Sequence, residues 1–128
     1  MSDFVLHMFR DNRGDLIPIP FNELPFEPKH MFVVSNNPGP VPRGAHAHKT
    51  MKQILFCVQG SFQIQLEKQN SKPETHLLQA GQFVFHDCME WANIFIQTPG
   101  TVIISLCDRA YDEDDVIRDS VEFFYGKK

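Results

Sequence analysis

The sequence predicts an all-β protein, a sandwich or a barrel, from three observations. Its apolar runs are short, turn-forming residues recur between them, and almost no segment has the period of a helix. Regularly spaced short strands separated by turn signals are typical of sandwiches and barrels. With 128 residues the chain is expected to form a single domain, over residues 1–128, around one core.

The first part of the chain predicts a hairpin followed by one strand. Residues 4–9 and 16–20 form the extended arms of the hairpin, and the prolines in the second arm place it at a sheet edge. A connection punctuated by prolines leads to a short apolar strand over residues 31–34. A cluster of Asn, Pro and Gly then ends that strand and forms a loop that leads into residues 42–49.

The rest of the chain predicts a second hairpin and several further strands. The arms of this hairpin cover residues 53–58 and 62–67 around Gly60, and its second arm alternates apolar and polar residues. A short terminal helix or turn is predicted over residues 121–124. Four more short strands are predicted over residues 76–78, 82–85, 94–96 and 102–106.

Composition and charge narrow the possible partners and the compartment. A net charge of −4 gives no reason to expect a nucleic acid or an anionic membrane as partner. No apolar run approaches the length needed to span a bilayer, and the N-terminus lacks a secretory pattern. The three cysteines form no C-x-x-C pair, and Cys57 and Cys107 lie in apolar runs, which favours burial and a reducing, cytoplasmic setting. The phenylalanines expected in the core are Phe56, Phe62, Phe83, Phe85 and Phe95.

The segment around which the chain is organised is Pro-Arg-Gly-Ala-His-Ala-His-Lys at residues 42–49. In a strand, His46 and His48 point to the same face, because strand side chains alternate with a period of two. An isolated H-x-H pair is also typical of a basic turn with two solvated histidines. The wider context of the pair decides between these interpretations.

This context resembles the first motif of the cupins, which are jelly-roll barrels. That motif has the form H-x-H, three or four residues, Glu, six residues, Gly; His46, His48 and Gly60 fit it, and Gln53 occupies the glutamate position. The second cupin motif of metal-binding members supplies another histidine, but the matching position here is near Ala92. The one nearby substitute is His86. Two histidines and a neutral amide would hold a metal poorly, so neither a metal nor another cofactor is expected.

A more specific resemblance comes from two motifs taken together. The run Arg-Gly-x-His-Ala-His-Lys at residues 43–49 and the ending Tyr-Asp-Glu-x-Asp-x-Ile-Arg-Asp at residues 111–119 are similar to the sugar 3,4-ketoisomerase family. The resemblance implies a homodimeric cupin that acts on dTDP-4-keto-6-deoxyglucose on the way to dTDP-3-amino sugars of bacterial glycans such as O-antigen. Members also occur fused to N-acyltransferases.

The resemblance also implies a mechanism and a set of roles. A base removes the proton at carbon 3 to give an enediol, and a proton returns to carbon 4. His46 is then the leading catalytic base and His48 its partner in proton transfer. Arg43 would face the keto oxygen or a phosphate, with a surface ion pair as the alternative. The residues expected to bind substrate are Arg43, Lys49, Gln53, Trp91 and Tyr111.

Each of the other assignments has a structural alternative. Lys49 is otherwise a solvated cation, Gln53 an ordinary polar barrel residue, and Trp91 a core residue. The acidic ending is expected to be structural, its ion pairs anchoring the tail; those residues are Asp112, Asp115 and Arg118.

Two departures from the family pattern bear on the product. The family has a tyrosine on the strand before the loop, where this chain has Phe32 and Val33, and often an arginine after the tryptophan, where this chain has Ala92. Both departures could alter the stereochemistry of the product, alter the substrate or reduce the activity. The sequence reveals neither the configuration at carbon 4 nor whether the nucleotide is thymidine or uridine.

Three other functions fit a cupin with this motif. A nucleotide-sugar 3,5-epimerase also uses a histidine base, but needs a carboxylate behind it and a tyrosine opposite, which the sequence alone does not place. The others are a metal-dependent dioxygenase and a sugar-binding cupin without turnover.

Overall fold

The computed structural model describes residues 5–38 and 40–126. Within them the chain forms eleven strands, two short 3-10 turns and one α-helix, α1 (Ser120–Tyr125). No described helix has the length and apolar character needed to cross a membrane. The strands are β1 (Phe9–Asp11), β2 (Gly14–Leu16), β3 (His30–Val34), β4 (Val41–His48), β5 (Gln53–Gln59), β6 (Ser61–Lys68), β7 (Glu74–Gln79), β8 (Phe83–His86), β9 (Glu90–Ile96), β10 (Val102–Cys107) and β11 (Val116–Ile117).

Two antiparallel sheets face each other and form a jelly-roll barrel, which confirms the predicted all-β class. One sheet has the strand order β3-β10-β5-β8, and the other has the order β11-β4-β9-β6-β7. The strands β1 and β2 form a separate hairpin. The short helix α1 follows β11, as predicted, and the Asp119 side chain caps it by accepting the backbone N–H groups of Val121 and Glu122.

The core explains the two kinds of strand pattern seen in the sequence. Along β6 buried and half-buried residues alternate, because only one face of this strand meets the opposite sheet. The apolar run of β5 is instead buried on both faces. Its outer face lies under the N-terminal segment, from which Leu24 packs against Ile54 and Phe56.

The hairpin predicted from residues 53–67 is wrong, although both of its strands exist. The strand β5 pairs with β8 and β10, whereas β6 pairs with β7 and β9 in the other sheet. Gly60 therefore lies where the chain crosses from one sheet to the other, between β5 and β6. Thr98 and Thr101 hold this crossing: both hydroxyl oxygens accept the Ser61 N–H, at 3.2 Å each. Alternation reveals which face of a strand is buried but not which strand lies beside it.

Two smaller expectations also change. A hairpin does open the chain, but its strands β1 and β2 lie largely within the predicted turn, and the predicted prolines follow β2 instead of lying in it. The predicted start at residue 4 lies outside the described residues. Phe95 is 38% exposed and is not a core residue, whereas Phe56 and Phe62 are fully buried as expected.

The crossing generates a prediction for Gly60→Ala, with Gly100→Ala as its matched control. Both glycines have a left-handed φ, +79° and +76°, so alanine is strained by about 1–2 kcal/mol at either position. At Gly60 the added Cβ would also lie 2.4 Å from Thr101 Oγ1 and 2.9 Å from Thr101 Cα, whereas at Gly100 its nearest contact is an ordinary 3.7 Å. We expect Gly60→Ala to lose a further ~1–3 kcal/mol from overpacking.

Urea denaturation measures this difference through the midpoint, provided that the slope m is unchanged. Equal losses of unfolding free energy in the two variants would show that the crossing is not constrained by the threonines.

Candidate active site

The strand β4 brings both predicted histidines to one cavity. The rings of His46 and His48 lie with their centroids 4.9 Å apart and nearly perpendicular. His46 is half-buried and His48 is 3% exposed. Ala47, between them, is fully buried in a different cluster with Trp91. The predicted alternation around the two histidines is therefore confirmed.

A bulge in β4 places Arg43 in the same cavity. Strict alternation would put Arg43 on the face opposite His46, because three positions separate them. The pairing with β9 shifts between Gly44 and His46, and the extra residue, Ala45, has a φ of 59°. One extra residue reverses the alternation that follows. Arg43 and both histidines consequently line one wall.

The cavity lies between the two sheets and has a volume of about 360 Å³. Five of the seven predicted site residues line it, namely Arg43, His46, His48, Gln53 and Tyr111. The sequence did not single out Ser105 or Arg118 as lining residues. Apolar side chains from β3, β5, β9 and β10 complete the wall, and among them are Phe32 and Val33, the two residues near the expected position of the family tyrosine.

Two predicted substrate-binding residues lie elsewhere. Trp91 is 6% exposed and packs in a tilted arrangement against Phe123 and Phe124, with ring centroids 5.7 and 6.0 Å away. Lys49 is exposed and is not part of the cavity wall. Both positions follow from the alternation along β4. Ala47, which shares a buried cluster with Trp91, and Lys49 point to the face opposite the histidines. The structural alternatives considered for these two residues describe them better.

A buried carboxylate stands behind His48. Asp115 Oδ2 lies 3.5 Å from His48 Nδ1, and both side chains are less than 10% exposed. Asp115 also accepts the backbone N–H groups of Thr50 and Met51, at 2.9 and 3.1 Å, and the Thr50 hydroxyl at 2.6 Å. Nδ1 of His48 has no other partner among the described residues. Nδ1 therefore faces Asp115, which leaves Nε2 as the nitrogen available to a molecule in the cavity.

The environment keeps both histidines neutral near neutral pH. Burial lowers the pKa of His46, and the positive charge of Arg118 adds to this effect. Burial also lowers the pKa of His48, as do the charges of His46 and Arg118, while Asp115 opposes the shift. Burial would raise the pKa of Asp115, but the hydrogen bonds from Thr50 and Met51 outweigh it and lower that pKa. The pair is a neutral imidazole beside an ionised carboxylate.

The C-terminal tail forms the mouth of the cavity. The Tyr111 ring packs edge-on to Phe32, with centroids 6.2 Å apart. The Tyr111 hydroxyl and the Arg118 guanidinium both donate to Glu113. The expected ion pairs of Arg118 with Asp112 and Asp115 are wrong: its partner is Glu113, and its side chain lines the cavity. Spacing alone could not show this, because Asp115 turns inward to His48.

A third histidine lies in the wall behind Gln53. His86 is 2% exposed. Its Nδ1 lies 3.0 Å from the Gln53 side-chain amide, and its Nε2 lies 2.7 Å from the Glu90 carbonyl oxygen. With both nitrogens engaged, His86 does not present a free lone pair to a metal. No group of three His, Cys, Asp or Glu side chains in the described ranges is arranged to hold a metal ion.

Comparison with known proteins identifies the family to which the chain belongs. The family model described as "FdtA: WxcM-like, C-terminal" matches residues 2–128. The TDP-4-oxo-6-deoxy-α-D-glucose 3,4-oxoisomerase of Aneurinibacillus thermoaerophilus is 33% identical over 115 residues, 84% of this chain and 78% of that protein.

Crystal structures of two ketoisomerases superpose on the chain. The 3,4-ketoisomerase of Helicobacter canadensis is 30% identical, with a TM-score of 0.83 over 93% of this chain and 90% of the other. A mutant 3,4-ketoisomerase of Thermoanaerobacterium thermosaccharolyticum, in complex with TDP-4-keto-6-deoxyglucose, is 27% identical, with a TM-score of 0.84 over 93% and 87%. The full-length match to the family model and the 33% identity to the oxoisomerase show that the chain belongs to the FdtA, WxcM-like C-terminal family.

Proposed function

We propose that this protein is a 3,4-ketoisomerase that moves the keto group of a dTDP-linked 4-keto-6-deoxyhexose from carbon 4 to carbon 3. The observation that carries the proposal is the pair of neutral imidazoles, 4.9 Å apart, in one wall of a cavity between the sheets. The names of its relatives supply the substrate class, since they describe 3,4-isomerases of TDP-linked keto sugars.

The reaction is a proton shuttle between neighbouring carbons. The ketone at carbon 4 acidifies the proton at carbon 3, and His46 removes that proton to give an enediolate. Protonation at carbon 4 and transfer of the hydroxyl proton from oxygen 3 to oxygen 4 then leave a ketone at carbon 3 and a hydroxyl group at carbon 4, with no net oxidation. A positioned acid or base contributes roughly 10²–10⁴-fold to such a step.

His48 serves as the partner that exchanges protons with the sugar oxygens. When Nε2 takes a proton, the imidazolium that forms lies beside the ionised carboxylate of Asp115. Arg43 and Arg118 add positive charge to the same wall, where each guanidinium can bind an enediolate or diphosphate oxygen. These groups supply the proton transfer and charge stabilisation that the isomerisation requires, so we propose a metal-independent mechanism without a cofactor.

The wider setting follows from the family resemblance. We place the enzyme in the cytoplasm, in the synthesis of dTDP-3-amino sugars for surface glycans. Cys57 and Cys107 are buried free thiols, and Cys88 is also unpaired, which fits a reducing compartment. The homodimer implied by the resemblance is part of this proposal, and a monomeric mass by light scattering would reject it.

A 3,5-epimerase is the second candidate, and two positions in the site favour it. The sequence did not reveal a carboxylate behind the histidine or a tyrosine opposite it. Asp115 lies behind His48, and Tyr111 lines the cavity from the tail. The two reactions differ in the carbons at which protons exchange, because epimerisation labels carbons 3 and 5 whereas isomerisation delivers the solvent proton to carbon 4.

Turnover in deuterated buffer tests the assignment of the histidines. With dTDP-4-keto-6-deoxyglucose we expect a 3-keto product with deuterium at carbon 4, followed by proton NMR. His46→Ala and His48→Ala should each lower kcat by roughly 10²–10⁴-fold. The control His7→Ala replaces an exposed histidine outside the cavity and should leave the rate unchanged. Exchange at carbons 3 and 5 would instead identify an epimerase.

The pH dependence of the reaction tests how the surroundings of His46 and His48, including Asp115, set their pKa values. Because the pKa values of both histidines are lowered and the base acts deprotonated, activity should persist below the ordinary imidazole pKa of about 6.5. Asp115→Asn removes the charge that raises the pKa of His48. This variant should therefore lower the rate and move the acid limb of log kcat/KM to still lower pH.

Asp112→Asn is the matched control, since Asp112 is an exposed acid of the same segment that caps a short turn. It should shift neither the rate nor the profile. An acid limb that moves to higher pH in Asp115→Asn would contradict the proposed role of the carboxylate.

A further inference from the structure

His86 is a buried imidazole for which the proposed proton transfers have no use. It is 2% exposed and lies in β8, beside Gln53 of β5. Its Nε2 is 2.7 Å from the Glu90 carbonyl oxygen. A carbonyl oxygen can only accept a hydrogen bond, so a contact this short requires the proton of His86 to be on Nε2.

The ring carries only that one proton at neutral pH. The pKa of His86 is lowered to about 4, chiefly by burial; positive charge on His46 and His48 contributes to this lowering, and the Glu90 carbonyl and the nearby Asp87 oppose it. A neutral ring protonated at Nε2 has a lone pair on Nδ1. Nδ1 must therefore accept a hydrogen bond.

The atom placed against Nδ1 is Oε1 of the Gln53 side-chain amide, at 3.0 Å. The amide oxygen in that position would set two lone pairs against each other, whereas the amide nitrogen would donate. Oxygen and nitrogen of an amide are nearly equal in size, and the hydrogen-bond network decides their assignment. Turning the amide over directs the NH₂ group of Gln53 to His86 and its oxygen to Cys107 Sγ, which otherwise lies 3.5 Å from the amide nitrogen.

Cys107 can satisfy the amide oxygen in this arrangement. It is fully buried, and burial raises the pKa of its thiol, so the sulfur keeps its proton. The thiol donates to the Gln53 oxygen, the Gln53 NH₂ group donates to His86 Nδ1, and His86 Nε2–H donates to the Glu90 carbonyl. Every polar atom in this network then has a partner of the right kind, and one N–H of the Gln53 amide is left over.

We propose that His86 is a positioning residue that fixes the Gln53 amide so that its second N–H is offered to the substrate cavity. Gln53 lines that cavity, whereas His86 and Cys107 stand behind it. An N–H donor at this position suits an oxygen that gains negative charge, such as the enediolate oxygen of a keto sugar. The identity of that oxygen rests on the proposed function; the orientation of the amide does not.

NMR tests the orientation in the wild-type protein without any substrate. Long-range ¹H–¹⁵N spectra of ¹⁵N-labelled protein at pH 7 distinguish a protonated ring nitrogen from one with a lone pair. His86 is assigned by the signal that His86→Asn removes. We expect Nε2 protonated and Nδ1 unprotonated. A proton on Nδ1, alone or together with Nε2, would overturn the inference whether or not the protein is an isomerase.

Steady-state kinetics test the consequence for the site. Asn can place an amide oxygen near the position of Nδ1, so His86→Asn keeps an acceptor for Gln53, whereas His86→Leu removes it. We expect His86→Leu to lower kcat about tenfold with little change in KM, which corresponds to about 1.4 kcal/mol and is the size of a single oriented hydrogen bond. His86→Asn should retain most of the wild-type kcat.

A double-mutant comparison separates positioning from general damage. Gln53→Met removes the donor, so adding His86→Leu to Gln53→Met should cause no further loss of kcat. Additive losses, or a His86→Asn variant as slow as His86→Leu, would assign His86 a purely structural role. Thermal denaturation of each variant checks that the enzyme is folded at the assay temperature.

Discussion

A single buried carboxylate connects β4, the strand that carries His46 and His48, to the C-terminal tail. Asp115 accepts hydrogen bonds from Thr50 and Met51, just after β4, and its own carbonyl oxygen accepts the Lys49 N–H at 2.8 Å. The residues that follow pair as β11 with His48 and Ala47. These bonds bring the tail against the histidines, and the tail in turn supplies the Tyr111 side of the cavity mouth.

The burial of this charge is tolerated because three donors and one imidazole surround it. An isolated carboxylate in a protein interior is strongly unfavourable, and hydrogen bonds to its ionised form offset that cost. The same carboxylate opposes the lowering of the His48 pKa by burial, so the tail contributes to the chemistry of a strand more than sixty residues away in the sequence. Stability and reactivity thus depend on one set of contacts.

The sequence predicted the strands well and their neighbours poorly. Alternation identified the buried face of β6, and the H-x-H spacing identified the shared face of His46 and His48. It could not show that Gly60 joins two sheets, since strand pairing is a long-range property. It also could not show the bulge that turns Arg43 inward or the inward turn of Asp115, because both depend on contacts with distant segments.

The crossing at Gly60 has a consequence for how the chain reaches this fold. The strand β5 does not pair with the neighbouring strand β6. It pairs with β10, so that Leu55 lies opposite Ser105, about fifty residues later in the sequence. Few native pairings can then form before most of the chain has been synthesised, and loop-closure entropy opposes each of them. We expect slow refolding, with unpaired strand edges exposed in the meantime, and a dependence on dilute conditions during recovery from denaturant.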